Sequence, residues 1–412
     1  MEKVVITGVG IETSNASGYK EFSQFLHSGI SPEFTRHRGD NIEYFMVSLP
    51  LDRLKQVKHQ LSTSLLCHLR TAPEYIYWAI KVAKQAVTMA SLTPDELKRC
   101  CLIIAGGEFD SQYRFNNFRL YHQEPEYIKP SYALAHMDID VLGAISEVFS
   151  DIHDGFIING ASASGNIALI RALQLIRAGI YDRCLIVSPP QFLSPVEIQS
   201  LIRAGAMVDA TVYMGSSATY HPFDECQAGF IYGQGAAALV VENDELALLR
   251  GAIPLVNVNG AGISLSGLRT TAPSLEGEIA AMQAAMHDAG VVKSQIDYIN
   301  THGSGSLLGD GVESDAILRL FSGSPSLRIN ATKALSGHCL SASALIETVA
   351  VCAQIQQQFV HANPSLKRPI AKLPFVGSKS ETWAVQHAMT NSFAFSGIST
   401  SLVLSARSLP GS

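Results

Sequence analysis

The run GFIINGASASGN, Gly155 to Asn166, decides the fold. Its apolar portion, Phe156 to Ile158, reads as a short strand. The small residues around Ser162 make a tight turn. A helix follows, in which Arg171, Gln174 and Arg177 recur at three-residue spacing until Gly179 stops it. A strand that turns through small residues into a helix places Ser162 at the helix N-terminus, beside unpaired backbone N–H groups and the positive end of the dipole.

Outward from that run, short segments rich in Val and Ile alternate with longer helical patterns, the signature of βαβ units around buried parallel strands. In the first part of the chain the expected strands are Val4 to Thr7, Leu102 to Ala105, Phe156 to Ile158, Leu185 to Val187 and Ala237 to Val241. In the second part they are Leu255 to Gly260, Ile296 to Asn300, His387 to Asn391 and Ser401 to Leu404. A like turn of strand into helix is expected at His338, one too faint for periodicity alone to establish. Between Glu108 and Phe149 the sequence is aromatic and irregular, with Tyr113, Phe115, Phe118, Tyr121, Tyr127 and Tyr132; for any one of these, core filling is an adequate reading. No low-complexity linker divides the 412 residues.

A chain that is 47% hydrophobic and 16% charged supports a large core and excludes disorder. A formal charge of −6 and a pI near 6.1 supply no basic field for nucleic acid. The seven cysteines form no CxxC pair and no Cys/His zinc spacing, and their odd number argues against a disulfide framework, so no metal site and a reducing cytoplasm are expected. There is no run of eighteen apolar residues and no charged leader before a long apolar stretch, which implies a soluble protein with no membrane contact.

Three further runs join the first: NTHGSGSLLGDGVESD (Asn300 to Asp315), NATKALSGHCLSASALIE (Asn330 to Glu347) and NSFAFSGISTSLVLS (Asn391 to Ser405). With the glycine-rich turn and strand of His221 to Asn243 and the opening KVVITGVGIETS, they resemble, in order and spacing, the β-ketoacyl synthases, the decarboxylating condensing enzymes of fatty-acid and polyketide assembly. The likeness spans essentially the whole chain. It implies a thiolase-like α/β fold of two similar βαβαβαββ halves in a five-layer αβαβα arrangement, usually paired into a homodimer. Residues 1–246 would form the N-terminal half, with Ser162 and the aromatic segment as a cap, and residues 247–412 the C-terminal half with both histidines.

The same resemblance implies the site. Ser162 stands where the family carries its cysteine nucleophile. A thiol there ionises readily, whereas a hydroxyl needs an adjacent base to attack a thioester, so acyl loading should be much slower. Ser162 reads either as a small residue fitting the turn or as an ordering or direct participant in the site. His302 and His338 match the pair that polarises the malonyl thioester carbonyl; as hydrogen-bond donors to an enolate oxygen they need no thiol. Lys333 and Glu347 match charges that orient the imidazoles, a reading that coexists with a plain structural ion network. Asp310 and Glu313 would fix the His302 loop. Phe395 matches a gate whose backbone N–H would complete an oxyanion hole with that of Ser162. Around it Ala394, Ser396, Ile398 and Ser399 replace glycine, glycine, threonine and asparagine, which implies a stiffer loop. Ser304 and Ser306 replace two threonines that hold the phosphopantetheine arm of the substrate, the only cofactor-like group implied. Of the family's basic carrier-docking positions Arg70 is kept, but neighbouring Cys67 and His68 are not basic. Cys226, in PFDECQAG, occupies a place that does no chemistry in the family.

The expected function is decarboxylation of malonyl-acyl carrier protein to the acetyl form without carbon–carbon bond formation, as in the serine variants of polyketide β-branching cassettes. There an HMG-CoA-synthase-like enzyme takes the product. Two alternatives stand beside it. One is a non-catalytic, chain-length-factor-like partner, which the retained His302, His338 and Lys333 oppose. The other is a serine acyltransferase or hydrolase, suggested by the near G-x-S-x-G run at Gly160 to Ser164 and the chain order Ser162, Asp310, His338.

Overall fold

A computed structural model describes residues 2–324 and 326–407. Ten strands form one ladder: β1 (Val4–Glu12), β2 (Cys100–Ala105), β3 (Asp154–Ile158), β4 (Arg183–Ser188), β5 (Ala236–Asn243), β6 (Val256–Leu265), β7 (Tyr298–Asn300), β8 (Arg328–Asn330), β9 (His387–Ala394) and β10 (Ile398–Ser405). Their spatial order is β8-β7-β9-β10-β6-β1-β5-β4-β2-β3. Counted from β1 or from β6, each set of five is arranged 3-2-4-5-1, with its fifth strand antiparallel to its neighbours. The connecting helices repeat too: α1 (Glu74–Ala90), α2 (Asp140–Val148) and α3 (Ser164–Arg177) in the first set, α4 (Leu275–Ala289), α5 (Leu307–Phe321) and α6 (Ser343–Gln357) in the second. Both sets therefore read βαβαβαββ.

The two sets meet where β1 and β6 pair antiparallel, Val4 with Val258, Val5 with Asn257 and Ile6 with Val256. This register is symmetric about Val5 and Asn257. The first strands are duplicates in detail. Each has a register irregularity, between Ile6 and Gly8 and between Val258 and Gly260, and each continues into a Gly-x-Gly on which a helix lies flush. A Cβ at Gly10 would come within 1.9 Å of the Val82 carbonyl oxygen of α1, and one at Gly262 within 2.0 Å of the Ala281 oxygen of α4. Only glycine permits this approach.

The ladder divides at the β1–β6 pair into a first sheet, β1–β5, and a second, β6–β10; helices α3 and α6 lie between these two, and their apolar residues share one core with those of β1, β4, β5, β6 and β10. Every residue of α6 from Ser343 to Ile355 is buried, which explains why that segment shows no amphipathic stripe. α1 covers the outer face of the first sheet, and α4 with α5 that of the second, completing the five layers.

Each expected strand is present. β8, three residues long, was not expected, and neither was a small sheet built on the hairpin Phe34–Gly39 and Ile42–Val47. Two expectations need correction. His338 does not follow a strand directly: the short helix Lys333–Ser336 intervenes after β8. The segment Glu108 to Phe149 is mostly helical, including Ser111–Gln123 and α2, because aromatics distributed around a helix hide its period. Core filling fails there for Phe118, Tyr121 and Tyr127, which are 59–64% exposed.

Candidate active site

The turn that carries Ser162 is held by its own side chains. Asn159 Oδ1 accepts from the Ala161 N–H at 3.0 Å, and Ser164 Oγ accepts from the Gly160 N–H at 2.9 Å and donates to the Ala161 carbonyl at 2.7 Å. These bonds hold Ala161 at φ 49°, a left-handed conformation costly for a residue with a Cβ. From the second sheet, Ser392 Oγ donates to the Ser162 carbonyl at 2.9 Å. Ser162 is left half-buried, with its hydroxyl 3.1 Å from His338 Nε2.

His338 opens a turn built on the same plan. Its Nδ1 accepts from the Leu340 N–H at 3.0 Å, Leu340 has φ 53°, and a 3₁₀ turn leads into α6 as Ala161–Ala163 leads into α3. Asn159 to Ser164 and His338 to Ser343 are thus one motif used twice, with His338 in the place of Asn159.

His302 stands on the loop after β7. Glu313 Oε1 and Oε2, from α5, accept the N–H groups of His302 and Gly303, both at 2.9 Å. Asp310 accepts the N–H of Gly305 at 2.9 Å and that of Phe223 at 2.7 Å. Burial pushes both carboxyls up, Asp310 to about 7, against the downward pull of those N–H bonds. Asp310 does not touch His338, so the chain order Ser162, Asp310, His338 forms no triad.

The two imidazole rings lie 5.8 Å apart at 82°, with Phe393 beside His302 and Phe230 against the edge of His338. Lys333, fully buried, donates to Glu347 and to the His302 carbonyl, and its Nζ is 3.4 Å from His302 Nδ1. Burial first, and the Lys333 charge second, hold both histidines well below their ordinary range, so both are neutral at pH 7. An ammonium and a backbone amide can only donate. Each Nδ1 is therefore an acceptor, and each ring carries its hydrogen on Nε2.

Ser162, His302, His338, Lys333 and Glu347 come together. Phe395 lies on the turn between β9 and β10 with its ring 40% exposed. Ser396 sits at φ 62°, where glycine would be unstrained, and is tied through its N–H to the Thr270 carbonyl at 2.8 Å. Ser304 and Ser306 lie 2.9 Å apart at their hydroxyls and are engaged locally: Ser304 reaches Asp310 at 3.4 Å, and Ser306 caps α5 through the Gly309 N–H at 3.2 Å. Cys226 is exposed, its sulfur accepting from Arg368 at 3.2 Å. Arg70 is exposed at the end of a segment that also exposes Lys55, Lys58 and His59, which sequence reading passed over. Ser343, Ser392 and Phe230 were missed as well. Only Ser343 left a signal, the echo of Ala161-Ser-Ala-Ser164 in Leu340-Ser-Ala-Ser343.

A duplicated 3-2-4-5-1 sheet enclosing two helices, with functional turns at the helix N-termini, defines a thiolase-like fold. Within it, the chain belongs to the β-ketoacyl synthase family: residues 1–247 match the N-terminal domain and residues 255–367 the C-terminal domain. It is 32% identical over 408 residues to the polyketide biosynthesis malonyl-ACP decarboxylase PksF of Bacillus subtilis, covering 98% of this chain and 96% of that one. It is 27% identical over 420 residues to nodulation protein E of Rhizobium sp. strain N33, covering 97% and 98%. Among solved structures, the ishigamide ketosynthase/chain length factor superposes with a TM-score of 0.89 at 25% identity, over 99% of this chain and 100% of that one.

Proposed function

We propose that this protein decarboxylates a malonyl group held as a thioester on an acyl carrier protein, giving the acetyl thioester and carbon dioxide without forming a carbon–carbon bond. The bond between the methylene carbon and the carboxylate breaks, and its electron pair moves into the thioester carbonyl as an enolate. His302 and His338 donate Nε2–H to that oxygen. The methylene carbon then takes one proton. Preorganised donors in a water-poor site contribute about 3 kcal/mol each to such charge development.

One observation carries the reading: His338 Nδ1 is occupied by a donor. In a serine hydrolase the corresponding nitrogen faces a carboxylate, which lets the imidazole take a proton from the nucleophile. Here Nε2 already bears hydrogen, so Ser162 Oγ accepts and is not activated. This disfavours the acyltransferase and hydrolase alternative. Two neutral imidazoles 5.8 Å apart, both held by buried partners, equally disfavour a non-catalytic partner. The name of the Bacillus subtilis relative supports the substrate and the setting in polyketide assembly.

In this reading Lys333 and Glu347 orient the rings, Asp310 and Glu313 fix the His302 loop, and Ser162 fills the space of an acylated thiol. The substrate's phosphopantetheine arm passes Ser304, Ser306 and Phe395, with the backbone N–H groups of Ser162 and Phe395 near the carbonyl. The exposed cations Lys55, Lys58 and Arg70 suit an acidic carrier. Exposed Phe118, Tyr121 and Tyr127 and the half-buried edge strand β3 suit a second copy of the chain. Seven free thiols suit the cytoplasm. An HMG-CoA-synthase-like enzyme of a β-branching cassette would consume the acetyl-carrier.

The test is mass spectrometry of a malonyl-loaded carrier after incubation with the protein. Acetyl-carrier without elongation is expected. Unchanged malonyl-carrier, or an acyl group on Ser162, would contradict the proposal.

A further inference from the structure

We infer that Ser343 is a positioning residue for His338, placing a second hydrogen-bond donor on the nitrogen that faces away from the site. Its hydroxyl lies 3.0 Å from His338 Nδ1 and is buried. The Leu340 N–H reaches the same nitrogen at 3.0 Å, which makes Nδ1 an acceptor. Ser343 therefore presents its O–H hydrogen, not a lone pair. The hydrogen bonds run one way, from Leu340 and Ser343 to Nδ1 and from Nε2–H to Ser162 Oγ.

The duplicated turn shows how this arrangement is built. Ser164 is the counterpart of Ser343, and its hydroxyl is used up inside its own turn, on the Gly160 N–H and the Ala161 carbonyl. With histidine in place of Asn159, a ring nitrogen comes within reach of the second serine. Two donors sharing one lone pair make the imidazole a weaker base and its Nε2–H a stronger donor. They also oppose a tautomer change that would turn Nε2 into an acceptor and free Ser162 to act as a nucleophile. Lys333 and His302 are the titratable groups facing His338, and neither can replace Ser343, because neither bonds Nδ1 of that ring.

The experiment compares wild type, Ser343→Ala and Ser343→Thr by ¹⁵N NMR of the His338 ring and by steady-state decarboxylation of malonyl-carrier. Alanine is well tolerated in the first turn of a helix, so the variant should fold, and its melting temperature is measured alongside. Ser343→Ala should move the Nδ1 resonance toward that of a free pyridine-type nitrogen. It should also lower kcat about fivefold with KM unchanged, the scale expected for one hydrogen bond. Ser343→Thr should restore both. An unchanged ring spectrum overturns the inference, whether kcat is kept or falls together with the melting temperature. The kinetic arm rests on the decarboxylase reading, but the NMR arm needs no substrate. A shifted resonance in a protein that leaves malonyl-carrier intact would therefore sink that reading and leave Ser343's role standing.

Discussion

At the scale of the residue, the proposed reaction uses His338 and His302 as neutral donors, and their pH behaviour follows from that. Both are held well below the ordinary histidine value by burial and by Lys333, so acidification through pH 6.5 leaves them uncharged. The ¹⁵N signals of both rings should therefore keep their neutral-imidazole positions as the pH falls through 6.5, whereas a move to the imidazolium position would show a histidine titrating. His338→Ala should lower kcat about a hundredfold, the usual consequence of removing one oxyanion donor. Lys333 is a different case, because it is the partner of the buried Glu347. Lys333→Ala would strand that carboxylate and should destabilise the fold by about 3–5 kcal/mol in denaturant titration. Ser162, both histidines, Lys333 and Glu347 were legible in the sequence because each stands inside a long run. Ser343 stands inside the same run and echoes Ser164, but its contact with His338 becomes visible only when the second turn is superposed on the first and a ring nitrogen occupies the place of an amide oxygen.

At the scale of the element, the two strand-to-helix turns and the two Gly-x-Gly strands repeat one design. Gly10 and Gly262 set how closely α1 and α4 approach the sheets, so overpacking there meets backbone and cannot be relieved by a side-chain rotation. Gly262→Ala should reduce stability by about 3 kcal/mol, read from the midpoint of chemical unfolding at constant slope. An unaffected midpoint would mean that α4 slides freely on β6. The strands were legible because strands buried on both faces, parallel or antiparallel, read as short apolar runs. The cap helices were not, since Phe118 and Tyr121 face outward and break the helical period. The hairpin at Asp40 and Asn41 went unread although both residues sit at positive φ, the backbone of a type I′ turn.

At the scale of the whole molecule, the duplication brings two turns from different sheets to one place, so that Ser162 of the first half meets the histidines of the second. Strand β3, at the outer edge of the first sheet, is only half-buried, and Phe118, Tyr121 and Tyr127 of the cap stand exposed. Sedimentation should report a dimer, and Phe118→Asp combined with Tyr121→Asp should yield a monomer; a wild-type monomer at micromolar concentration would refute that assembly. The pairing of the histidines was implied by sequence resemblance, but their distance and tautomers required the fold. The claim on which the account rests is that donor imidazoles suffice for decarboxylation when no thiol is present. It is tested most directly by the single-turnover rate at which Ser162→Ala converts malonyl-carrier to acetyl-carrier. The account predicts a rate within a few-fold of wild type. An inert Ser162→Ala protein that is folded and binds carrier normally would show that the hydroxyl itself does chemistry, and would contradict it.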